Sequence, residues 1–422
     1  MNILTLNSDF FKYFFKLDCK WSLPQRKHLF NFVDGIINSG GKKTLSNIWR
    51  NSLNTRDRSS FNKFLLYSPW DEKNLNYARK KTALNEMAMA GSKNPFFFSI
   101  DDTLSSKKTS SKNIEGLKFN YSHVSNKNEW SHCIVSLHGH SNGLSLPLDF
   151  KTYLSEESGA EQKRSFKTKI DLALDTLKGI DIQLERKSYV LTDSWYTSAG
   201  FINKTQQLGF QVISGIKSNR IFYPNGIRAK LSEYAKTLKE EDLNVVTVKG
   251  RTHYVYRYEG AVKGIENIVV LMSWIDKFDS SKSPFYLVST DVSLSSKRII
   301  EYYGHRWEIE VSFRYQKERL GLDNYEMRSL KAIKRFWELL YLLYDFLDLK
   351  RFKNKVSENL GELIDKLKVK RKREVISYVY ERTWNGNTFL DNFFKVIHSV
   401  LYRRLITKRR VDSVVVKPVN II

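Results

Sequence analysis

Phe96-Phe97-Phe98-Ser99-Ile100-Asp101-Asp102-Thr103 is the stretch that decides the fold. Its apolar half, entered from Pro95, reads as a compact strand, and the polar triplet reads as the strand's end. Working outward, His132 to His140 is a second strand, Ser141-Asn142-Gly143 a hairpin turn and Leu144 to Phe150 a third strand. A helix near Lys167 to Lys178 follows, then the strand Tyr189-Val190-Leu191-Thr192, which ends at Asp193. A helix from Ser198 to Leu208 and a strand from Phe210 to Ile216 close the series. Hairpin partners need only short turns, whereas parallel neighbours need helical crossovers. This order therefore predicts one mixed sheet, antiparallel on one side and parallel on the other.

That layout is ribonuclease H-like. The expected fold class is α/β: a ribonuclease H-like mixed sheet flanked by helices, interrupted by a β-rich insertion, with helical N-terminal and C-terminal regions. Residues 1–92 read as a helical N-terminal DNA-binding region, with helices over Gln25 to Ile37, Thr44 to Trp49, Arg58 to Leu66 and Lys73 to Ala90. Arg50, Arg56, Arg58 and Lys63 make it basic. Residues 93–219 form the first part of the catalytic core, and 220–293 the insertion. Its strands are expected at Asn244 to Val248, His253 to Tyr258, Asn267 to Trp274 and Phe285 to Ser289. Residues 294–349 return to the core through a helix from Lys297 to Gly321 and an apolar helix from Ala332 to Leu349. Residues 350–422 are a basic helical C-terminal region, with 17 Lys/Arg against 7 Asp/Glu from Arg351 onward, densest from Lys366 to Arg373.

Charge narrows the function. The 422 residues carry 70 Lys plus Arg against 45 Asp plus Glu, a net +25. A surplus of that size points to a polyanionic partner, because each phosphate contact gains affinity by releasing counterions. No basic amphipathic helix with a Trp/Leu face favours a membrane surface. The apolar run from Phe336 to Leu349 is interrupted by Glu338, Asp345 and Asp348 and is too short to span a bilayer. Asp9 and Lys12 break the apolar N-terminus, so no secretory signal is expected. Two cysteines, Cys19 and Cys133, fit a reducing cytosol and cannot build a disulfide framework. No glycine-rich phosphate loop occurs, which excludes an ATP-driven reaction.

Three acids stand where the layout wants them. Asp102 ends the first strand, Asp193 ends the fourth, and Glu310 lies on the helix after the insertion. The first and fourth strands are neighbours in this topology, so their carboxylates converge. Three carboxylates around one point repel unless cations neutralise them. Hard oxygen ligands suit Mg²⁺ or Mn²⁺. Two such ions about 4 Å apart activate a water or a 3′-hydroxyl and stabilise the leaving oxygen of a phosphodiester displacement. Taken singly, each Asp is as well explained as a cap or turn residue.

Tyr303, Arg306, Glu310 and Lys317 are offset by 0, 3, 7 and 14 residues, which places them within about 60° on one helix face. Such a stripe offers a phenol, a guanidinium, a carboxylate and an ammonium where a structural helix would carry Leu and Val. Two cations beside a metal-binding carboxylate would hold a phosphate diester, with the phenol hydrogen-bonding it or stacking on a base. An exposed face of salt bridges explains the same pattern.

The spacing Tyr303-x2-Arg306-x3-Glu310-x6-Lys317 resembles the signature of insertion-sequence DDE transposases of the Tyr-Arg-Glu-Lys (Y-R-E-K) group. Asp101-Asp102-Thr103 resembles that family's first-Asp motif, in which the catalytic residue directly precedes the Thr. The resemblance therefore implies Asp102. Thr192-Asp193-Ser194-Trp195-Tyr196 resembles the second-Asp motif, and the likeness spans roughly residues 95–345. It implies a cytoplasmic DNA transposase acting on double-stranded DNA, both terminal inverted repeats and target, as a homodimer. A metal-dependent nick exposes a 3′-hydroxyl, which forms a hairpin in characterised members before joining to target. Tyr303, Arg306, Lys317 and Lys217 are the expected DNA contacts, with Trp274 or Phe285 holding a flipped base. Two rival readings stay open: a ribonuclease H-like structure-specific nuclease, and a domesticated DNA-binding protein that no longer cuts. His138 and His140 read as hairpin histidines on a solvated face, and Asp149 and Glu156-Glu157 as surface acids.

Overall fold

The computed structural model describes residues 8–52, 57–91, 94–156, 165–180, 186–354 and 358–384. Arg56, Glu157 and the basic tail past residue 384 lie outside the described residues. Five helices come first: α1 (Ser8–Lys16), α2 (Leu23–Asn38), α3 (Leu45–Asn51), α4 (Ser59–Leu66) and α5 (Glu72–Met89). Their starts are written locally. The Ser22 amide donates to Gln25 Oε1 at 2.8 Å ahead of α2, and Asp71 caps α5 by accepting from the Lys73 amide at 2.8 Å.

The first strands are β1 (Phe96–Ser106), β2 (Lys118–Ser122), β3 (Lys127–Ser141) and β4 (Leu144–Tyr153), followed by α6 (Lys169–Lys178). Next come β5 (Ser188–Thr192), α7 (Ala199–Gln207) and β6 (Gln211–Gly215). β7 (Ile221–Phe222), β8 (Ala229–Lys230), α8 (Leu231–Tyr234), β9 (Asn244–Val248), β10 (Arg251–Val262), β11 (Ile265–Ile275) and β12 (Phe285–Ser289) make up the insertion. The chain returns through α9 (Ser296–Tyr303) and α10 (Trp307–Tyr315), then runs into α11 (Leu330–Lys353) and α12 (Leu360–Trp384).

One sheet takes all twelve strands, in the order β2-β3-β1-β5-β6-β12-β11-β10-β7-β8, with β4 on β3 and β9 on β10. β1, β5 and β6 are parallel, and the hairpin strands are antiparallel, as the ribonuclease H-like reading requires. Two details differ from expectation. β2 and β4 share the far edge of β3, and β2 was not foreseen because its Lys118, Asn120 and Ser122 dilute the apolar pattern. The insertion is antiparallel but not separate: Leu287↔Gly215 and Val288↔Ser214 join β12 to β6, so the core sheet simply continues into it.

α11 carries the core. Its residues from Phe336 to Leu349 are all buried, because helices α1 to α5 cover the side that the sheet does not. Phe10 meets Phe346 edge-on at 5.1 Å and Phe32 meets Phe336 at 5.6 Å, so the N-terminal helices share one apolar core with the sheet. Each such ring, fully buried, contributes roughly 1.5–3 kcal/mol. Two of the acids that interrupt α11, Glu338 and Asp345, are neutralised from the same side, and the third, Asp348, by Arg351 of α11 itself. The fully buried Arg79 of α5 donates to Glu338 Oε1 at 3.0 Å, to Asp345 Oδ2 at 2.7 Å and to the Leu148 carbonyl at 2.7 Å. Asp149, expected at the surface, is buried and paired with Lys80 at 3.1 Å. It sits where β4 passes under α5, and the lysine makes that burial tolerable.

The histidines also turn inward. His138 and His140 were expected on a solvated face, but α9 to α11 lie over that side of β3. His138 is 1% exposed, and its Nε2 pairs with Ser145 Oγ at 2.8 Å. His140 stacks on His305, ring centroids 4.6 Å apart. Burial lowers the pKa of His138 to about 3 and that of His132 to about 4. The unfolded chain therefore binds protons that the native state refuses once the pH falls below about 6.5. Stability is full above that pH and drops as the pH falls toward 4, by about 1.4 kcal/mol per pH unit for each such histidine. The urea midpoint is expected to fall between pH 7 and pH 5, and His138→Gln to flatten that fall. An unchanged midpoint would refute neutral burial.

Candidate active site

The end of the first strand differs from expectation. β1 does not stop at Asp102 but runs on to Ser106, so Asp101 and Asp102 are mid-strand neighbours pointing to opposite faces. Asp101 shares a face with Phe97, which packs against Tyr302 at 4.9 Å and His305 at 4.5 Å. That is the face under α9 and α10. Asp102 points the other way, toward α6: Lys169 Nζ donates to its Oδ2 at 2.8 Å and Tyr196 OH to its Oδ1 at 3.1 Å. The buried Cys133 thiol adds a contact at 3.4 Å. Asp101, not Asp102, is the residue that meets the helix carrying Glu310.

Asp193 follows β5, the parallel neighbour of β1, as expected. Its Oδ1 accepts from the amides of Trp195 at 2.9 Å and Tyr196 at 3.4 Å, so it also shapes its own turn. Hydroxyls hold the turn from behind: Thr197 Oγ1 donates to the Asp193 carbonyl at 3.0 Å, and Ser214 Oγ, on β6, to the same oxygen at 3.2 Å. Gly215 makes room for it. A Cβ there would stand 3.1 Å from the Ser194 nitrogen and 3.4 Å from the Tyr303 hydroxyl.

Tyr303, Arg306, Glu310 and Lys317 do not lie on one regular helix. A 3₁₀ turn over Gly304–Arg306 separates α9 from α10, and a wide π turn over Gln316–Leu320 follows α10. The π turn ends at Gly321, whose φ is +81° and where a Cβ would strike Lys43 Cβ at 2.4 Å. The first three residues still converge. Arg306 Nη2 donates to Glu310 Oε1 at 2.5 Å, and its Nη1 lies 3.4 Å from Asp101 Oδ2, joining the helix to the strand. Lys317 sits farther along, its Nζ donating to the Leu104 carbonyl at 2.9 Å. Burial lowers its pKa, against the pull of Asp323 and Glu129.

The electrostatics single out Asp101. Burial, then the neighbouring charges of Asp193 and Asp102, raise its pKa to about 7, with Arg306 pulling the other way. Among the described residues, no three Asp, Glu, His or Cys side chains stand close enough together to hold a metal ion. The guanidinium of Arg306 lies between Asp101 and Glu310 and supplies the positive charge there. Without that guanidinium the carboxylates would repel one another, and hard carboxylate oxygens are donors that a divalent cation takes.

Other expected contacts fare unevenly. Lys217 is exposed just beyond β6. Trp274 is only 4% exposed, with its indole N–H bonded to the Lys282 carbonyl at 3.0 Å, so it is core of the insertion and not a surface for a base. Phe285 is 47% exposed and lies 5.6 Å from Tyr303. In the run from Lys366 to Arg373, Arg371 is buried against Asp34 at 2.9 Å, so the run is not wholly a free basic face. Sequence reasoning gave no role to Lys169, Trp195 or Tyr196, which gather on the Asp102 side of β1, with Tyr196 only 1% exposed. Trp195 is 43% exposed, with Lys169 Nζ 5.4 Å from its ring centroid. The signal was present in Asp193-Ser194-Trp195, a tryptophan in a polar turn.

The fold and this pair of strand carboxylates define a class, and two comparisons agree on it. The family described as DDE superfamily endonuclease matches residues 21–238, just over half of the chain. The Transposase DDE domain matches residues 167–346, through the Glu310 helix. The chain belongs to the DDE superfamily endonucleases. Among curated proteins, none matches it.

Proposed function

We propose that the chain is the transposase of an insertion sequence of the Y-R-E-K group, nicking the ends of its element and joining them to target DNA. The observation that carries the reading is Arg306, which bridges Asp101 to Glu310 while Asp101 feels the charge of Asp193 beyond the neighbouring parallel strand. In this proposal Asp101 replaces Asp102 as the first acid. Asp101, Asp193 and Glu310, which stand too far apart to hold a cation while Arg306 bridges two of them, would close around Mg²⁺ or Mn²⁺, which would supply activation of the attacking oxygen and neutralise the leaving one. Arg306 then exchanges its carboxylate partners for a phosphate of the DNA, and a guanidinium fits a phosphate by its planar fork. Tyr303, half-buried with its ring 5.6 Å from that of Phe285, fixes where the helix ends over the strand. Lys169 and Trp195, on the Asp102 side of the strand, offer a cation and a ring to DNA passing there. Two copies acting together would bridge the two ends.

The test is incubation with labelled duplex carrying the element's own ends, with Mg²⁺. The expected product is a nick exposing a 3′-hydroxyl, followed by a hairpin or a joined strand. Binding without any nick would overturn the reading in favour of a protein that only holds DNA, and cutting only of branched or hybrid substrates would favour a structure-specific nuclease.

A further inference from the structure

The chemistry above leaves the hairpin of β2 and β3 unused. On β3, Trp130 and Asn128 share a face with His132, Ile134 and Ser136, and Ser136 pairs with Asp101. Phe119↔Trp130 and Tyr121↔Asn128 put Phe119 and Tyr121 on that same face. Phe119 is 61% and Tyr121 53% exposed. Phe119 lies 5.2 Å from the Trp130 ring, and Tyr121 lies 5.1 Å from His123. Folding alone gains little from rings left in water on an edge strand.

The surrounding charge is positive. Between residues 107 and 129 stand Lys107, Lys108, Lys112, Lys118 and Lys127 against Glu115 and Glu129. Both acids are engaged: Ser106 and Ser125 hydroxyls hold Glu129, and the Leu330 amide donates to Glu115 Oε2 at 2.8 Å. Lys108, Lys112 and Lys127 are exposed at the rim. The hairpin also adjoins the site, since Glu129 acts on Lys317 and the Lys107 amide donates to the Trp130 carbonyl at 2.7 Å. Trp130 thus lies level with a point six residues past Asp101, about 20 Å along the strand, or about six base steps of duplex.

We infer that this hairpin face binds unpaired DNA, stacking bases on Phe119, Tyr121 and Trp130 while Lys108, Lys112 and Lys127 take the phosphates. The inference rests on the DNA-cutting reading above and adds where a strand goes once it is parted from its complement. Sheet-borne rings beside lysines suit single strands, because every base has a face to stack and only an unpaired one can present it. A blunt duplex gains nothing from them.

The test titrates the full chain, with Ca²⁺ in place of Mg²⁺, against a blunt duplex and the same duplex carrying an oligo-dT tail with one 2-aminopurine. Tail binding is expected to quench the 2-aminopurine. Phe119→Ala with Tyr121→Ala is expected to weaken tailed DNA about tenfold or more while leaving blunt DNA unchanged. Phe119→Trp with Tyr121→Phe should keep the affinity, which guards against misfolding. Equal loss on both DNAs, no loss at all, or a change in oligomeric mass with tail affinity intact would overturn the inference. Cutting is scored separately with Mg²⁺. If the wild type nicks but shows no tail preference, the hairpin inference alone falls. If the tail is bound but nothing is ever nicked, the hairpin inference stands and the transposase reading falls.

Discussion

Asp101→Asn is expected to lower the nicking rate by at least about 10²–10³-fold, and Asp102→Asn by less than about tenfold. The two residues are chemically identical and adjacent, so only the side of β1 separates them. Asp101 meets Arg306, at 3.4 Å, and feels the charge of Asp193. Asp102 is already satisfied by Lys169 and Tyr196. Removing the Asp102 charge would free Lys169 and disturb the Trp195 turn, which is a second-order effect on the reacting phosphate. DNA binding should survive both substitutions, and the Asp101 variant should bind slightly tighter because a repulsion toward phosphate is gone. Rates are to be measured at saturating DNA with Mg²⁺, alongside affinities. The reverse order of damage would restore Asp102 as the first acid. Near-normal cutting by both variants would remove β1 from the chemistry.

The second large effect is on stability. Arg79→Met is expected to cost about 3–5 kcal/mol of unfolding free energy, because it strands two carboxylates among apolar side chains. Among the described residues Asp345 pairs with no cation but Arg79: burial already raises its pKa to about 7 despite the guanidinium, and its Oδ1 has no hydrogen-bond partner there. Asn76 is the remaining donor to Glu338, at 3.3 Å. The triple change Arg79→Met, Glu338→Gln and Asp345→Asn should recover much of the loss, since it removes the stranded charges along with their partner. Urea unfolding of the three proteins decides it. A loss below about 1 kcal/mol for the single variant would mean that the network does not join α5 to α11.

The sheet was legible because its order depends on coarse features that survive in one sequence. Apolar runs of strand length, a hairpin signal at Asn142-Gly143 and helical stretches between Asp149 and Phe210 leave few topologies. The placement of Asp193 beside β1, and of the Tyr303–Arg306–Glu310 stretch over it, followed from that order. Which of Asp101 and Asp102 faces Arg306 needed the strand's facing, and the end of β1 was misplaced because Asp, Asp and Thr resemble a turn more than a strand. Parity with Phe97 would have been the physical route to it. Buried ionic groups were illegible for a different reason. Asp149, Glu338 and Arg371 look like surface residues until a partner from a distant segment is brought alongside, and pairings such as Arg79 with Asp345 depend on tertiary contact alone. Trp274 shows the reverse: an aromatic residue in a strand fits a core or a ligand face equally until its neighbours are known.

The bonding of β12 along β6 has a consequence for any attempt to trim this protein. Residues 220–293 look like a cassette that could be excised and the ends rejoined. Excision would strip Ile213, Ser214 and Gly215 of their antiparallel partner and leave a bare, largely apolar parallel edge beside Asp193. Bare edges recruit other edges. A shortened chain would therefore precipitate through that flank before its chemistry could be assayed, and the insertion doubles as the seal on the catalytic sheet.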